Sequence, residues 1–450
     1  MRHYDKAALD GLLASAKARG FESFAKAVPL AFEEMEPEDL AGINANRFAR
    51  GYGLDPRQTL LAFFHFTKAG VFDLLWIVHC PHCASPVQTA RHLGSLRGDS
   101  FCPVCDAGFR AGFDSSVHLA FRAAESIAKL DGLDPMAVAM AGFEEEAGVA
   151  FALERGARRA LDHPLIPGNY LLADRARGAS LGMEVLEDPA EERGEFLWRL
   201  TPETMGPLVI HRKPGRIRLL LHNDSPFDRE LHFARLRKPD WPDATSVAAL
   251  REFRDFFAEE RISPEESFEI RRLALLFTDI KGSTAMYERL GDATAFDIVR
   301  AHFGIMEDIV TRTQGSLVKT IGDAVMATFA RSADAVVAAR DMIDAFDRFN
   351  TESRAKSDVI VKIGIHAGPC IAVALNDRLD YFGGAVNLAA RIQGLSDGRD
   401  LMMSAELLDE PGVRRAIPET GWTVEEFSIG LKGIEGERKV LKIAKSGDRG

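Results

Sequence analysis

The sequence predicts a multidomain α/β (α+β) protein with a helical start and a C-terminal part of alternating strands and helices. Its 450 residues are enough for roughly two to four domains of ordinary size. Apolar residues recur at helical spacing within 1–78, whereas 166–240 contains short apolar and β-branched runs separated by turn residues. From residue 269 onward the alternation of strands and helices indicates helices packed on a mixed or antiparallel sheet.

Composition limits the classes of partner. The net charge of −11 gives no general attraction to nucleic-acid backbones or anionic membranes, so it argues against both as partners. The most apolar runs, such as "VFDLLWIV", are far shorter than the ~20 residues that a membrane span needs. The start "MRHYDKAALDG" lacks the apolar segment of a secretory signal, which makes cytoplasmic residence the expectation.

The helical segment 1–78 contains "NRFARGYGLDP" followed by an apolar helix. This order of helix, glycine-containing turn and helix fits either a helix-turn-helix or winged-helix-like arrangement or an ordinary helical hairpin. The second helix is mostly Leu and Phe, with Arg57 and Lys68 as its strong cations. Because reading a DNA groove needs a polar, basic face, the hairpin is favoured over a DNA-binding regulator.

Four of the five cysteines lie in one window and form two C-x2-C pairs, which are Cys80 with Cys83 and Cys102 with Cys105. Two such pairs at this spacing predict a zinc ribbon over 79–110. Four thiolates leave no open position on the metal, so the zinc would be structural. A redox-active pair of dithiols is the alternative.

Two further regions precede the last domain. Residues 111–240 are expected to be a mixed, β-rich regulatory region, with one strand-like run and amphipathic helices between 111 and 165 and a small sheet or sandwich after 166. Residues 241–268 are expected to be a linker and an amphipathic helix, whose apolar stripe comprises Val247, Leu250, Phe253, Phe256 and Phe257. Such a stripe is typical of a core or dimer face, and its place between domains suggests a transmission helix.

The stretch "LVKTIGDAVMATF" reads as two short strands around a turn, with Lys319 on the first strand and Asp323 beside Gly322 at the turn. Alone, it would be an exposed hairpin tip. Asp279, however, ends an apolar strand directly before a Gly-Ser-Thr turn and a helix. The two aspartates could share a pair of hard cations, and the helix N-terminus favours a polyphosphate.

Downstream, Asn387 and Arg391 are four residues apart on a predicted helix, and Asp380 lies just before that helix. Residues at this spacing project from one helix face. Taken alone, that face could simply be solvated.

Together, "FTDIKGST", "VKTIGDAVMATF", "LDYFGGAVNLAAR" and the late "LKG" resemble the catalytic domain of class III nucleotidyl cyclases. The resemblance covers roughly residues 270–445 and has the motifs in family order. It implies a ferredoxin-like catalytic domain over 269–450. The N-terminal half resembles the uncharacterised domain that precedes such cyclases in some bacterial proteins.

The resemblance also implies roles for individual residues. It assigns two Mg²⁺ or Mn²⁺ ions to Asp279, Asp323 and the carbonyl of Ile280, and it makes Asn387 the ribose-orienting and Arg391 the transition-state-stabilising residue. It assigns substrate contacts to Lys319, Asp380, Phe277, Gly282, Ser283, Thr284 and Lys432. It further implies a head-to-tail homodimer in which each active site is built from both chains.

These assignments predict a soluble adenylate cyclase. Lys319 can only donate a hydrogen bond, which suits adenine N1, and an ionised Asp380 can only accept one, which suits the 6-amino group. Guanine reverses both edges and would leave Asp380 facing an oxygen. A guanylate cyclase and a nucleotide sensor without turnover remain as alternatives, and the ligand or partner of the N-terminal region is unspecified.

Overall fold

The computed structural model describes residues 4–446 except 17–19, 82–85, 103–106, 131–143, 175–178, 186–194, 205, 238–239, 353–357, 376–377, 432 and 435. The chain forms two compact units. The first comprises Met1–Arg91, Asp99–Ala111 and His118–Pro242, and the second comprises His92–Gly98, Gly112–Val117 and Asp243–Gly450. Among the described helices, none has both the length and the apolar character to cross a membrane.

The first unit begins with helices. They are α1 (Lys6–Ser15), α2 (Glu22–Glu34), α3 (Pro37–Ala41), α4 (Ala45–Gly51) and α5 (Pro56–Lys68). The side chain of Asp55 caps α5 by accepting from the Gln58 N–H, and Pro56 occupies the first helical position, where its missing N–H costs nothing. The prediction that residues 1–78 are helical makes "VFDLLW" part of a helix. That prediction is wrong, because Gly70 adopts φ = 83° and the chain continues as strand β1 (Phe72–His79).

Helix α5 has a core role. Phe63, Phe64 and Phe66 are completely buried, and the Phe63 ring stacks on that of Phe121 with centroids 4.4 Å apart. Burial of three aromatic side chains contributes several kcal/mol to the stability of the unit. This packing gives α5 a role in the apolar core, as expected of a helix in a hairpin.

Two β-hairpins follow. Strand β1 pairs antiparallel with β2 (Pro86–Ala90), and β3 (Asp99–Cys102) pairs antiparallel with β4 (Ala107–Arg110). The amide of Gln88 on β2 donates to the Ser100 hydroxyl on β3 at 2.6 Å. The hairpins are therefore linked to each other, and each C-x2-C pair begins where one of them turns.

The rest of the first unit is a β-sandwich. After β5 (Val117–Ala123) come the sandwich strands β6 (Glu144–Leu153), β7 (Arg158–Leu165), β8 (Gly168–Asp174), β9 (Ala179–Val185), β10 (Glu195–Leu200), β11 (Gly206–Arg212), β12 (Gly215–Asn223) and β13 (Arg229–Arg237). They form one sheet in the order β10-β12-β7 and another in the order β11-β9-β8-β13-β6. Leu, Ile, Val and aromatic side chains from both sheets form a shared core. The predicted sandwich after 166 is confirmed. The amphipathic helices predicted before it are wrong for 144–153 and 158–165, which form strands β6 and β7. Residues 131–143 lie outside the described residues.

The second unit contains the C-terminal α/β domain. Its elements are α6 (Ala244–Ala248), α7 (Arg251–Phe256), β14 (Ser267–Ile280), α8 (Ser283–Leu290), α9 (Asp292–Arg312), β15 (Gly315–Ile321), β16 (Ala324–Phe329), α10 (Ser332–Glu352), β17 (Val361–Leu375), β18 (Arg378–Phe382), α11 (Gly384–Gln393), β19 (Asp400–Ser404), α12 (Val413–Ala416), β20 (Trp422–Gly430) and β21 (Glu437–Lys445). The described strands form an eight-stranded sheet in the order β15-β16-β14-β17-β19-β21-β20, with β18 paired to β17.

The first four strands and their helices follow the ferredoxin-like pattern. Along the chain they run β14, helices, β15, β16, helix, β17, and in the sheet they lie in the order β15-β16-β14-β17 with antiparallel neighbours. This is the βαββαβ arrangement with its characteristic strand order. The predicted ferredoxin-like domain is therefore confirmed.

The two faces of this sheet have different roles. Ala274, Leu276 and Ile280 of β14 point into one large core with helices α8, α9 and α10. Side chains alternate along a strand, so Phe277 and Asp279 point to the opposite face. Helix α11 covers that opposite face, because a Cβ at Gly364 of β17 would collide with the backbone of Gln393.

The apolar stripe before the domain differs from the single helix that was predicted. Helices α6 and α7 are separated at Ala249 and Leu250, where Leu250 has the extended angles φ = −78° and ψ = 129°. Leu250, Phe253 and Phe257 are nevertheless buried. The stripe is thus largely buried and is carried on two short helices.

Candidate active site

Asp279 and Asp323 lie at adjacent strand ends. Asp279 is the penultimate residue of β14, and Asp323 follows Gly322 in the two-residue turn between β15 and β16. Gly322 adopts φ = 65°, a conformation that glycine tolerates without strain. The Ile280 N–H donates to a carboxylate oxygen of Asp323 at 3.3 Å, which joins the end of β14 to the turn.

The electrostatics of this pair favour a cation. Burial raises the pKa of Asp279, and the negative charge of Asp323 raises it further. Two carboxylates held this close repel each other unless a positive charge lies between them. Carboxylate oxygens are the ligands that Mg²⁺ and Mn²⁺ prefer, so the residues present fit such an ion. The described residues contain no cluster of three or more His, Cys, Asp or Glu side chains that could hold a metal, so further ligands would come from backbone and substrate.

Lys319 and Asp380 form the second pair. The Lys319 ammonium donates to both carboxylate oxygens of Asp380, at 2.9 and 2.7 Å. Asp380 lies on β18 and is only 6% exposed, and it also accepts from the Tyr381 N–H at 2.8 Å. The Lys319 side chain is 36% exposed. These two residues are 61 positions apart, and no sequence pattern indicated their direct contact.

Lys319 shares a sheet face with Phe277. In the register of the sheet, Lys319 lies opposite Met326, and Met326 lies opposite Phe277. Directly opposed residues of antiparallel strands project to the same side. Phe277, Met326 and Lys319 therefore form a row across three strands, on the face to which Asp279 also points.

Asn387 and Arg391, the two predicted catalytic residues, lie on helix α11. Asn387 and Arg391 lie one turn apart on α11 and are exposed, whereas Ala385, Ala389 and Ile392 of the same helix are buried. The sheet face that α11 covers is the one that carries Phe277. The predicted shared face for Asn387 and Arg391 is thus present, on a surface that a second molecule could reach.

The start of α8 offers backbone donors. Gly282, with φ = 70°, precedes the first helical residue Ser283, and Met286 makes the first internal bond back to the Gly282 carbonyl at 3.1 Å. The N–H groups of the first turn, including those of Ser283 and Thr284, have no intrahelical partner. Lys432 lies outside the described residues.

The predicted zinc ligands are described only in part. Cys80 directly follows β1, and Cys102 is the last residue of β3; both are buried. Cys83 and Cys105 lie outside the described residues. The positions of Cys80 and Cys102, each at the end of the first strand of a hairpin, are compatible with a zinc ribbon, which stays a prediction.

Comparison with known families identifies the C-terminal region. Residues 266–411 match the family described as the adenylate and guanylate cyclase catalytic domain, and residues 6–149 match a family of unknown function. Residues 266–411 form a class III adenylate/guanylate cyclase catalytic domain. The predicted resemblance is confirmed for this cyclase domain.

Two adenylate cyclases are similar to this chain in sequence. The chain is similar to an adenylate cyclase from Anabaena cylindrica, 35% identical over 138 residues that span 28% of each protein. It is also similar to adenylate cyclase 2 from Rhizobium meliloti, 30% identical over 180 residues, 37% of this chain and 48% of that one. The chain therefore spans less than half the length of these curated relatives. A solved adenylyl cyclase from P. aeruginosa aligns at 22% identity with a TM-score of 0.35, over 40% of this chain and 97% of that one.

Two further groups near these pairs were not predicted from the sequence, one fully buried and one partly buried. His302 on α9 is completely buried, and neither ring nitrogen has a hydrogen-bond partner among the described residues. Burial lowers its pKa to about 4, and the negative charge of Asp323 opposes that shift. The other group is the guanidinium of Arg254, which contacts β15. A lone His and a lone Arg on amphipathic helices gave no signal in the sequence.

Proposed function

We propose that the cyclase domain converts ATP to 3′,5′-cyclic AMP and pyrophosphate. The observation that carries the proposal is the coexistence of two polar pairs in one domain, Asp279 with Asp323 and Lys319 with Asp380. The first pair suits the cations of a nucleotide triphosphate, and the second suits a purine edge. Intramolecular transfer at a phosphate depends on positioning the substrate and on neutralising its charge. A pair that holds cations and a pair that holds the base supply these two functions.

In the proposed reaction, the ribose 3′-oxygen attacks the α-phosphorus in line, the 3′-hydroxyl proton is released, and the bond to the pyrophosphate oxygen breaks. Two Mg²⁺ or Mn²⁺ ions, held by Asp279, Asp323 and the Ile280 carbonyl, would lower the pKa of the attacking hydroxyl and neutralise phosphate charge. The first-turn N–H groups of α8 would donate to phosphate oxygens. Arg391 would present a planar cationic fork to the α-phosphate, and Asn387 would orient the ribose.

The proposed preference for ATP depends on Lys319 and Asp380. The ammonium and the carboxylate satisfy each other at 2.7 and 2.9 Å. Adenine presents N1 as an acceptor and its 6-amino group as a donor, so it could insert with every hydrogen bond replaced. Guanine would leave Asp380 facing its 6-oxo group. A buried polar group left unpaired costs orders of magnitude in discrimination.

A homodimer is part of the proposal. Ile371 and Phe382 oppose each other on β17 and β18, and they are 39% and 47% exposed. Neighbouring exposed apolar side chains on a sheet are typical of an interaction surface. Asn387 and Arg391 are exposed close behind this hairpin in the sequence, which supports a second copy contributing them to a composite site.

We also propose that Cys80, Cys83, Cys102 and Cys105 bind one structural zinc ion and that the region 1–240 regulates turnover. The two linked hairpins around the cysteines support the zinc site. The regulatory role is supported by the order of the domains. Its ligand or partner would have to bind two states of the protein with different affinity.

The deciding experiment incubates the purified full-length chain with ATP or GTP and Mn²⁺ and measures cyclic nucleotide and pyrophosphate. The proposal expects cyclic AMP and pyrophosphate in equal amounts, a lower rate with GTP, and loss of both products in Asp323→Ala. Preferred turnover of GTP would identify a guanylate cyclase. Tight binding of ATP without product would identify a nucleotide sensor and refute the proposal.

A further inference from the structure

The strand that carries Lys319 is irregular just before that residue. Leu317 of β15 pairs with Ala327 of β16, but Lys319 pairs with the adjacent residue Met326. One extra residue, Val318, is therefore inserted in β15 between these two pairs. This is a β-bulge, which bends a strand and changes the direction of the side chains that follow.

The bulge decides which face Lys319 occupies. Leu317 packs against the core that holds Ala327 and helices α8 to α10. In a regular strand Lys319, two residues later, would project to this same apolar face. The inserted residue turns it to the opposite face, beside Met326 and within 2.7 Å of Asp380.

One side chain from outside the ferredoxin-like core contacts the bulge. The Arg254 guanidinium on α7 donates to the Leu317 carbonyl at 2.8 Å and to the Ser316 hydroxyl at 2.5 Å. Both acceptors immediately precede Val318. Arg254 lies on α7 next to the buried Phe253, and the buried Phe257 follows the helix directly.

We propose that Arg254 is a positioning residue for purine recognition: it fixes the bulge at Val318 and thereby keeps Lys319 directed at Asp380 and the base. The inference rests on the proposed function and adds to it a physical link between α7 and the purine-reading pair. A shift of α7 would displace the Arg254 guanidinium, release the Leu317 carbonyl and change affinity for the base. The carboxylate pair of Asp279 and Asp323 would be unaffected.

The test compares Arg254→Met, Arg254→Lys and a matched control, Arg251→Met, in the full-length chain. Arg251 lies one turn earlier on α7 and forms exposed ion pairs with Asp255 at 3.3 Å and Glu307 at 3.8 Å. For each variant, KM and kcat for ATP and GTP are measured at saturating Mn²⁺. Equilibrium binding of a fluorescent ATP analogue that lacks the ribose 3′-hydroxyl, and therefore cannot be cyclised, is measured in parallel.

Arg254→Met is expected to raise KM for ATP and weaken analogue binding about tenfold, because the charged donor to the bulge is lost. The ratio of kcat/KM for ATP over GTP should fall by a similar factor, with kcat and the Mn²⁺ requirement changed much less. Arg254→Lys should recover part of the effect, since one ammonium can reach one acceptor but lacks the fork. Arg251→Met should behave as wild type.

Two results would overturn the inference. The first is a folded Arg254→Met protein with wild-type analogue affinity and wild-type ATP:GTP ratio. The second is equal loss in Arg254→Met and Arg251→Met, which would assign the effect to α7 as a whole. If the wild type binds nucleotide without forming product, the proposed function fails, and the analogue-binding comparison still decides the role of Arg254.

Discussion

Asp380→Ala is the most informative single substitution for substrate choice. It removes the only acceptor-only group of the Lys319–Asp380 pair. A hydrogen bond to a charged group contributes about 1.5–3 kcal/mol, so kcat/KM for ATP should fall roughly 10- to 150-fold. The rate with GTP should not fall, because Asp380 would oppose the 6-oxo group of guanine. The ATP:GTP preference should therefore shrink by the same factor.

Stability should change only modestly in this variant. The Lys319 side chain is 36% exposed, so water can solvate the freed ammonium, while the buried Tyr381 N–H loses its acceptor at a cost of about 1–2 kcal/mol. The assay measures kcat/KM for both nucleotides beside the control Asp397→Ala, which removes an exposed carboxylate paired with Lys442 at 2.9 Å. An unchanged ATP:GTP ratio in a folded Asp380→Ala protein would refute the base-reading role.

Three further predictions concern stability and metals. Burial lowers the pKa of His366 to about 4, so about 3 kcal/mol of folding free energy is present above the unfolded pKa near 6.5 and is lost as the pH falls from 6.5 to 4. In denaturant titrations, the stability of His366→Gln should depend less steeply on pH than that of the wild type. Parallel stability curves for the two proteins would contradict this prediction. Asp323→Asn should weaken Mn²⁺ binding at least tenfold in calorimetry. The melting temperature should stay equal or rise, because the substitution removes one of two carboxylates that repel each other. A large fall in melting temperature would argue for a structural role of Asp323. Metal analysis should find one zinc per chain in wild type and much less in Cys102→Ser, and a folded protein without zinc would end the ribbon hypothesis.

The sequence predicted the parts of the site that depend on local chemistry. Asp279 at a strand end, Asp323 in a two-residue turn and Asn387 with Arg391 on one helix face all follow from turn preferences and helical spacing. The ferredoxin-like order also followed, through the resemblance. These features need only a few neighbouring residues to specify them.

The rest depends on tertiary register and could not be read from spacing. The bulge at Val318 becomes visible only when β15 is aligned with β16, and without it Lys319 would be assigned to the apolar face. Likewise, "VFDLLW" has apolar residues at both helical and alternating spacing, and Gly70 together with pairing to β2 decides for a strand. The contact of Arg254 with Leu317 spans 63 positions and has no local signature.

Mixing two inactive variants tests the composite site most directly. In a head-to-tail homodimer, Asp279→Ala and Arg391→Ala each disable both sites, but a heterodimer keeps one site that draws Asp279 from one chain and Arg391 from the other. When the two variants are refolded together in equal amounts, half of the dimers are mixed, and each mixed dimer keeps one of its two sites. Turnover of ATP to cyclic AMP should therefore return to about a quarter of the wild-type rate. A mixture that stays as inactive as its components, with subunit exchange demonstrated, would contradict the account.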